Sequence, residues 1–324
     1  MAMAYRSLGK TGLTVSEIGF GAWGIGGATP GMTSYGTTDD AVSRRALAAA
    51  YDAGITLFDT SSVYGDGHSE ELIGAEFASR RDRVVIATKA GLLRFHEPPD
   101  FSPEALRRSV EGSLRRLGTD YIDLLQLHNP PVEDGALLDG ALETLDRLRR
   151  EGSVRAVGFS LKTPDQGLAA IAEFGCAVVQ FNLNMLDWRA VDCGLFELAT
   201  TREIGVIVRT PLCFGFLSGN IRADTVFAAD DHRNRWPRSQ IAAWVAAADE
   251  MAAAVSLEEA LSRTALRFCL SWPAVSTVIP GILTEAEANE NAAASAAGSL
   301  PADSLSTIKA IYRRLDHSVS RSYV

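Results

Sequence analysis

Short apolar runs rich in Val, Ile, Leu and Phe alternate along this chain with longer segments whose apolar residues recur every three or four positions. The short runs lie near 18–20, 55–59, 84–88, 123–127, 155–159, 177–180, 205–209 and 277–279 and have the length of buried strands. Helix signals fall between them. One helix is expected to start at Thr38, run through an alanine-rich stretch to Ala53 and stop at Gly54. Another has Ser102 as N-cap and Pro103 at its first position, and ends at Gly118. A third ends near Gly152, and a fourth opens at Thr163 and Pro164. Ser256 with Glu259, before a helix over 260–270, and Thr284 with Glu287 spell capping boxes. Eight such alternations predict an α/β fold, a (β/α)8 TIM barrel of parallel strands. No Ser/Gly-rich or Pro-rich linker, charge block or short repeat interrupts the 324 residues, so a single domain over 1–324 is expected. Ahead of the barrel, Arg6–Leu8 and Leu13–Val15 flank Gly9-Lys10-Thr11-Gly12 and read as a small hairpin. Long connections are expected at 129–136, 211–240 and beyond 301, on the face where loops shape substrate binding.

Three successive runs end in ionisable groups. Asp59 closes the second and is followed by Tyr64, Lys89 closes the third, and His128 closes the fourth. A phenol with an ordinary pKa of about 10 is a poor acid at neutral pH and needs a nearby cation that favours the phenolate. Lys89 can supply that charge, and Asp59 can hold and compensate the ammonium. His128 can donate to a carbonyl oxygen or relay a proton, its tautomer being open at this stage. Together they form a general acid-base set, and the missing hydride donor, which no side chain can be, implies a nicotinamide cofactor. Taken singly, each residue reads as readily as a solvated or structural group. Four of them converging on the rim that carries barrel chemistry tip the balance.

Composition narrows the class. Net charge −9 and a pI near 5.2 argue against a nucleic-acid partner. No apolar run is long enough to span a membrane, and the N-terminal residues lack the apolar core of a secretory signal. Cys176, Cys193, Cys213 and Cys269 lie far apart without metal-ligand spacing, so no metal is expected and a reducing cytoplasm is the expected location. Cys213 falls in an expected active-site loop, as either an oxidisable or a buried inert thiol.

The local strings extend the pattern: Phe58-Asp59-Thr60-Ser61-Ser62-Val63-Tyr64-Gly65, Gly67-His68-Ser69-Glu70-Glu71-Leu72-Ile73-Gly74, and Asp120-Tyr121-Ile122-Asp123-Leu124-Leu125-Gln126-Leu127-His128. Further on come Gly158-Phe159-Ser160, Pro211-Leu212 with Gly215 and Leu217, and Val278-Ile279-Pro280-Gly281 leading to Glu290-Asn291. Over essentially its whole length the chain resembles the aldo-keto reductase superfamily. The resemblance implies that Tyr64 is the acid of the tetrad and that the hairpin plugs the bottom of the barrel. It also implies that Ser160 and Gln180 hold the nicotinamide carboxamide, that Pro211, Leu212, Gly215 and Leu217 belong to the loop folding over the pyrophosphate, and that Glu290 and Asn291 contact adenine.

Three departures stand out. Leu161 replaces an Asn that often follows the serine. Arg209 stands where an aromatic residue commonly stacks on the nicotinamide; its guanidinium can stack as well, or be salt-bridged at the rim. From Gly281 to Glu287 no cation is present for a 2′-phosphate, whereas Glu287 could accept from a ribose hydroxyl or serve only its capping box. The expectation is therefore NAD(H) or NADP(H), with NAD(H) preferred. Trp23 is the candidate substrate wall, with Phe95, Trp236 and Trp188 as further aromatic candidates. Asp230–Trp236 has the composition of a charged lid or of a merely solvated loop. The function expected is hydride transfer to or from an aldehyde, ketone or secondary alcohol, sugars among them. The competing reading is a regulatory module that binds the cofactor with little catalysis. Substrate identity and oligomeric state are not written in the residues.

Overall fold

The computed structural model describes residues 3–255 and 258–315. Strands β1 (Tyr5–Ser7) and β2 (Thr14–Ser16) form the expected antiparallel hairpin. Eight parallel strands follow: β3 (Phe20–Gly21), β4 (Leu57–Asp59), β5 (Val85–Ala90), β6 (Ile122–His128), β7 (Val154–Ser160), β8 (Val178–Asn182), β9 (Gly205–Arg209) and β10 (Thr277–Ile279). Each pairs with the next in chain order. The seam is closed by backbone bridges of Ile18 to Val278 and Gly21 to Gly281, with the Gly19 N–H donating to the Val278 carbonyl at 2.8 Å. A side chain at position 21 would put its Cβ 2.8 Å from the Pro280 carbonyl oxygen, so glycine is what lets the two edges meet.

Around the barrel run α1 (Asp40–Asp52), α2 (His68–Phe77), α3 (Pro103–Leu117), α4 (Asp139–Arg150), α5 (Pro164–Phe174), α6 (Arg189–Asp192), α7 (Leu195–Thr201), α8 (Arg238–Val255), α9 (Leu261–Leu270), α10 (Glu285–Ala297) and α11 (Ala302–Arg314). The caps follow the sequence closely. Ser102 caps α3, and Thr163 with Gln166 and Thr284 with Glu287 make complete capping boxes for α5 and α10. Helix α1 begins at Asp40, two residues later than expected, because the Asp39 carboxylate takes the Val42 N–H at 2.9 Å. Ser256 lies outside the described residues; α9 starts after Ala260, and Glu259 receives Thr264 and Arg267 instead.

Of the expected long connections, the one beyond 301 is corrected and the one at 211–240 is present. Over 302–314 the expected loop is a helix: Ile308, Ile311 and Tyr312 recur at helical spacing and bury one face of α11, with Tyr312 stacked on Trp188 at 5.9 Å, while 316–324 lie outside the described residues. The segment 211–240 holds short 3₁₀ turns over Cys213–Ser218 and His232–Arg235 before α8 begins at Arg238.

Alternation along the strands builds the site. Leu57, Ala87, Leu124, Val178 and Ile207 point inward and pack with Leu8 and Val15 of the hairpin, forming an apolar floor that the hairpin closes from below. Two residues further along the same strands, on the same inward face, stand Asp59, Lys89, Gln126, Gln180 and Arg209. The period of two thus lays a polar layer directly on the apolar one.

Candidate active site

Asp59, Lys89, Gln126 and Gln180 are all at most 2% exposed. A buried ammonium and carboxylate are tolerated only when paired and hydrogen bonded. Lys89 Nζ donates to Asp59 Oδ1 at 2.5 Å and to the Thr60 carbonyl at 2.8 Å. The other carboxylate oxygen accepts from Gln126 Nε2 at 2.9 Å and Gln180 Nε2 at 2.8 Å, and Ser160 Oγ donates to Gln180 Oε1 at 3.2 Å. Asp59, Lys89, Gln180 and Ser160, expected on separate grounds, therefore form one network, to which the structure adds Gln126. Its signal was present in the sequence: it sits two residues before His128 on the same strand face.

Tyr64 occupies the turn after β4, with Lys89 Nζ 5.0 Å from its ring centroid. Gly65 makes that turn possible. Its φ is +62°, and a Cβ there would lie 2.0 Å from the Gly26 carbonyl oxygen, so the Tyr64 turn rests backbone to backbone on the loop carrying Trp23. Burial works to lower the Lys89 pKa, but Asp59 and Tyr64 outweigh it and hold the amine above its ordinary value. His128 meets Tyr64 edge-on at 6.4 Å between ring centres. Burial first, then Lys89 and Arg209, pushes the imidazole well below its ordinary pKa, so it is neutral. Its Nδ1 lies 3.4 Å from Ser61 Oγ, which itself receives the Val63 N–H. The Ser61 hydroxyl can therefore donate to Nδ1, and in that tautomer the imidazole N–H stands on Nε2.

The aromatic candidates divide. Phe95 is half-buried and stacks parallel to Tyr64 at 6.4 Å, beside the tetrad. Trp23 is half-buried against Tyr35 and His232, at 5.2 and 4.6 Å. Trp236 is corrected: it is buried among Phe214, Phe216, His232 and Trp244 and supports the loop layer from behind. Trp188 is a core residue whose indole N–H donates to the Met185 carbonyl. The expected charged lid over 230–236 is likewise pinned, with Asp231 and His232 buried, Arg233 clamped on Asp231, and the His232 N–H bonded to the Ser34 carbonyl at 2.9 Å.

Along β7 to β10 the arrangement fits a nicotinamide dinucleotide. Arg209 donates through Nη2 to the Leu161 carbonyl at 2.9 Å, while among the described residues its buried Nε has no partner and no carboxylate lies within ion-pair distance. Burial lowers its pKa. Beyond it the backbone turns left-handed at Thr210, Cys213, Phe214 and Gly215. A β-branched residue at φ +57° is a strained position, and Thr210 is held there by hydrogen bonds to Asn182 and Asn184. Within this turn the N–H groups of Cys213, Gly215 and Leu217 donate to the carbonyls of Thr210 and Leu212, which holds its curl. Pro211 and Leu217 are buried, Leu212 and Gly215 half-buried. Cys213 is a buried thiol whose pKa is raised by burial, so it is the inert alternative.

At the far end Gly281 is exposed with open space around its Cα. Glu287 spends one carboxylate oxygen on the N–H groups of Leu283 and Thr284, at 2.7 and 3.1 Å. Two cations arrive here from other helices: Arg45 pairs with Glu285 at 3.1 Å and Arg263 with Glu290 at 3.0 Å, while Asn291 is buried. The local sequence hid both. Among the described residues no group of side chains could hold a metal ion, and no helix is long and apolar enough to cross a membrane.

The family model of the aldo/keto reductase family matches residues 17–313. An aldo-keto reductase of Bacillus subtilis is 35% identical over 253 residues, 74% of this chain and 71% of that protein. L-galactose dehydrogenase of Arabidopsis thaliana is 30% identical over 298 residues, 89% of this chain and 87% of that protein. Among solved structures, the glycerol dehydrogenase of Gluconobacter oxydans superposes with a TM-score of 0.80 at 30% identity, covering 97% of each chain.

Proposed function

The chain belongs to the aldo/keto reductase family, oxidoreductases acting on carbonyls and alcohols, and from that premise we propose that it moves a hydride between a nicotinamide dinucleotide and an aldehyde, ketone or secondary alcohol, with Tyr64 exchanging the proton. The observation that carries this reading is the buried Lys89–Asp59 pair beside the Tyr64 ring. A satisfied ammonium at that place favours the phenolate and so makes the phenol a usable acid near neutral pH.

Neutral His128, with its N–H on Nε2, orients the substrate oxygen between itself and Tyr64. In carbonyl reduction the phenol protonates the oxygen as it becomes an alkoxide, and Lys89 stabilises the phenolate left behind. In alcohol oxidation the same groups act in reverse. The nicotinamide supplies or accepts the hydride; Ser160 and Gln180 would hold its carboxamide, Arg209 its ring face, and the turn over 211–217 its pyrophosphate. Because Gln180 is also bonded to Asp59, the group that orients the cofactor and the group that sets the tyrosine share one network. Trp23 and Phe95 would wall the substrate. Relatives named for L-galactose and glycerol support small polyhydroxylated alcohols as the first substrates to try.

NAD(H) is proposed as the preferred cofactor. Both arginines near the adenosine end are paired to carboxylates, so a 2′-phosphate would have to compete with Glu285 and Glu290 for them. Parallel fluorescence titrations with NADH and NADPH test this, and tighter NADPH binding overturns it. Binding of neither would overturn the hydride-transfer reading.

A further inference from the structure

Apart from the site already described, the molecule has a second concave feature, a pocket of about 330 Å³ between α3, the turn after β4 and the loop after β5. Arg108, Arg115 and Arg116 line it from one face of α3, and Arg94 reaches it from the β5 loop; Asp66 is the one carboxylate in its wall. That is a concentrated positive charge on a chain whose net charge is −9. Arg94 is paired with Glu97 at 3.2 Å and Arg116 with Glu70 at 2.7 Å, but among the described residues Arg108 and Arg115 have no carboxylate within ion-pair distance.

A second observation is independent of the charges. Ser109, between these arginines on the helix, is 6% exposed, and its buried hydroxyl has no hydrogen-bond partner. A serine inside a helix either points to solvent or bonds back to the preceding turn, and a buried hydroxyl that does neither is unfavourable. An unused donor thus lies just beneath the wall, beside two arginines that no carboxylate pairs among the described residues.

We propose that this pocket binds the phosphate group of a small metabolite. One guanidinium fork satisfies a carboxylate, whereas the several acceptor oxygens of a phosphate dianion suit two or more forks together with a hydroxyl donor. Occupancy would be felt at the catalytic turn. Ser62 and Asp66, in the opposite wall, flank Tyr64, and Arg116 is bonded to Glu70, which receives Thr88 Oγ1 at 2.5 Å next to Lys89. The site is therefore an effector site rather than part of the cofactor groove, and it stands whether or not the hydride-transfer reading holds.

The test is calorimetric titration of the full chain with inorganic phosphate at constant ionic strength set by chloride, in saturating NADH so that the pyrophosphate loop is not the acceptor. One phosphate per chain is expected. Arg108→Gln/Arg115→Gln, two exposed positions whose folding is checked by thermal melting, should weaken it about tenfold or more, and Ser109→Ala by several-fold. Heats no larger than those of chloride, or binding that survives both the double and the serine substitution, would overturn the proposal.

Discussion

At the centre of the barrel mouth Lys89, Gln126 and Gln180 are buried and all donate hydrogen bonds to the buried carboxylate of Asp59, whereas in the loop layer above, His232 is buried as deeply and neither ring nitrogen is bonded among the described residues. Trp23, Tyr35, Phe214 and Trp236 surround that imidazole at 4.6 to 5.4 Å between ring centres. The difference lies in charge. An ammonium and a carboxylate cannot be buried without partners, so the centre is fixed by directional bonds. An imidazole can shed its proton; burial pushes His232 down to about 3, and what then enters the core is a flat ring that packs by shape. The centre is built to hold geometry, the box to hold form.

The strongest way to break the contrast is Asp59→Ala. It leaves the Lys89 ammonium buried with the Thr60 carbonyl and Tyr64 but no carboxylate, and a loss of about 3–5 kcal/mol in denaturant unfolding is expected. Lys89→Met should cost less, because Gln126 and Gln180 still bond the carboxylate; equal losses would mean the amides contribute nothing.

The box is tested through pH. His232 titrates near 3 when folded and about 6.5 when unfolded. Below pH 6.5 the unfolded chain takes up a proton that the folded chain refuses until near pH 3, so the stability is full above that window and declines as pH falls through it. His128, also held low by burial, acts in the same direction. His232→Phe should flatten the acid limb by up to about 1.4 kcal/mol per pH unit while leaving stability at neutral pH equal or higher. An unchanged acid slope would show that the imidazole is not buried neutral.

A smaller effect separates the two roles of Glu287. Glu287→Ala removes the reciprocal cap of α10 and should cost about 1 kcal/mol. If the ratio of NADH to NADPH affinity moves as well, the second carboxylate oxygen reaches the cofactor; if only stability moves, the residue is a cap.

Much of this was legible in the chain because local rules decide it. Strand ends, caps and the hairpin follow from periodicity and from single residues such as Ser102 and Thr163, and the tetrad sits where apolar runs stop. Gln126 was equally readable from the period of two. The aromatic box was not, since it joins Trp23 to His232 across more than two hundred residues of chain, and no local pattern distinguishes a buried 3₁₀ turn in Asp230–Trp236 from a solvated one. Arg45 and Arg263 were missed for the same reason: the cations near the adenosine end come from α1 and α9, while the motif lies before α10.

We propose that Tyr64 moves the proton while Ser160, Gln180, Arg209 and the turn over 211–217 hold the cofactor. The direct measurement is turnover of Tyr64→Phe alongside an NADH fluorescence titration of the same protein. A fall in kcat of about 10²–10⁴ with NADH affinity unchanged is the predicted result. Turnover near that of the parent chain would contradict the account, whatever the cofactor affinity.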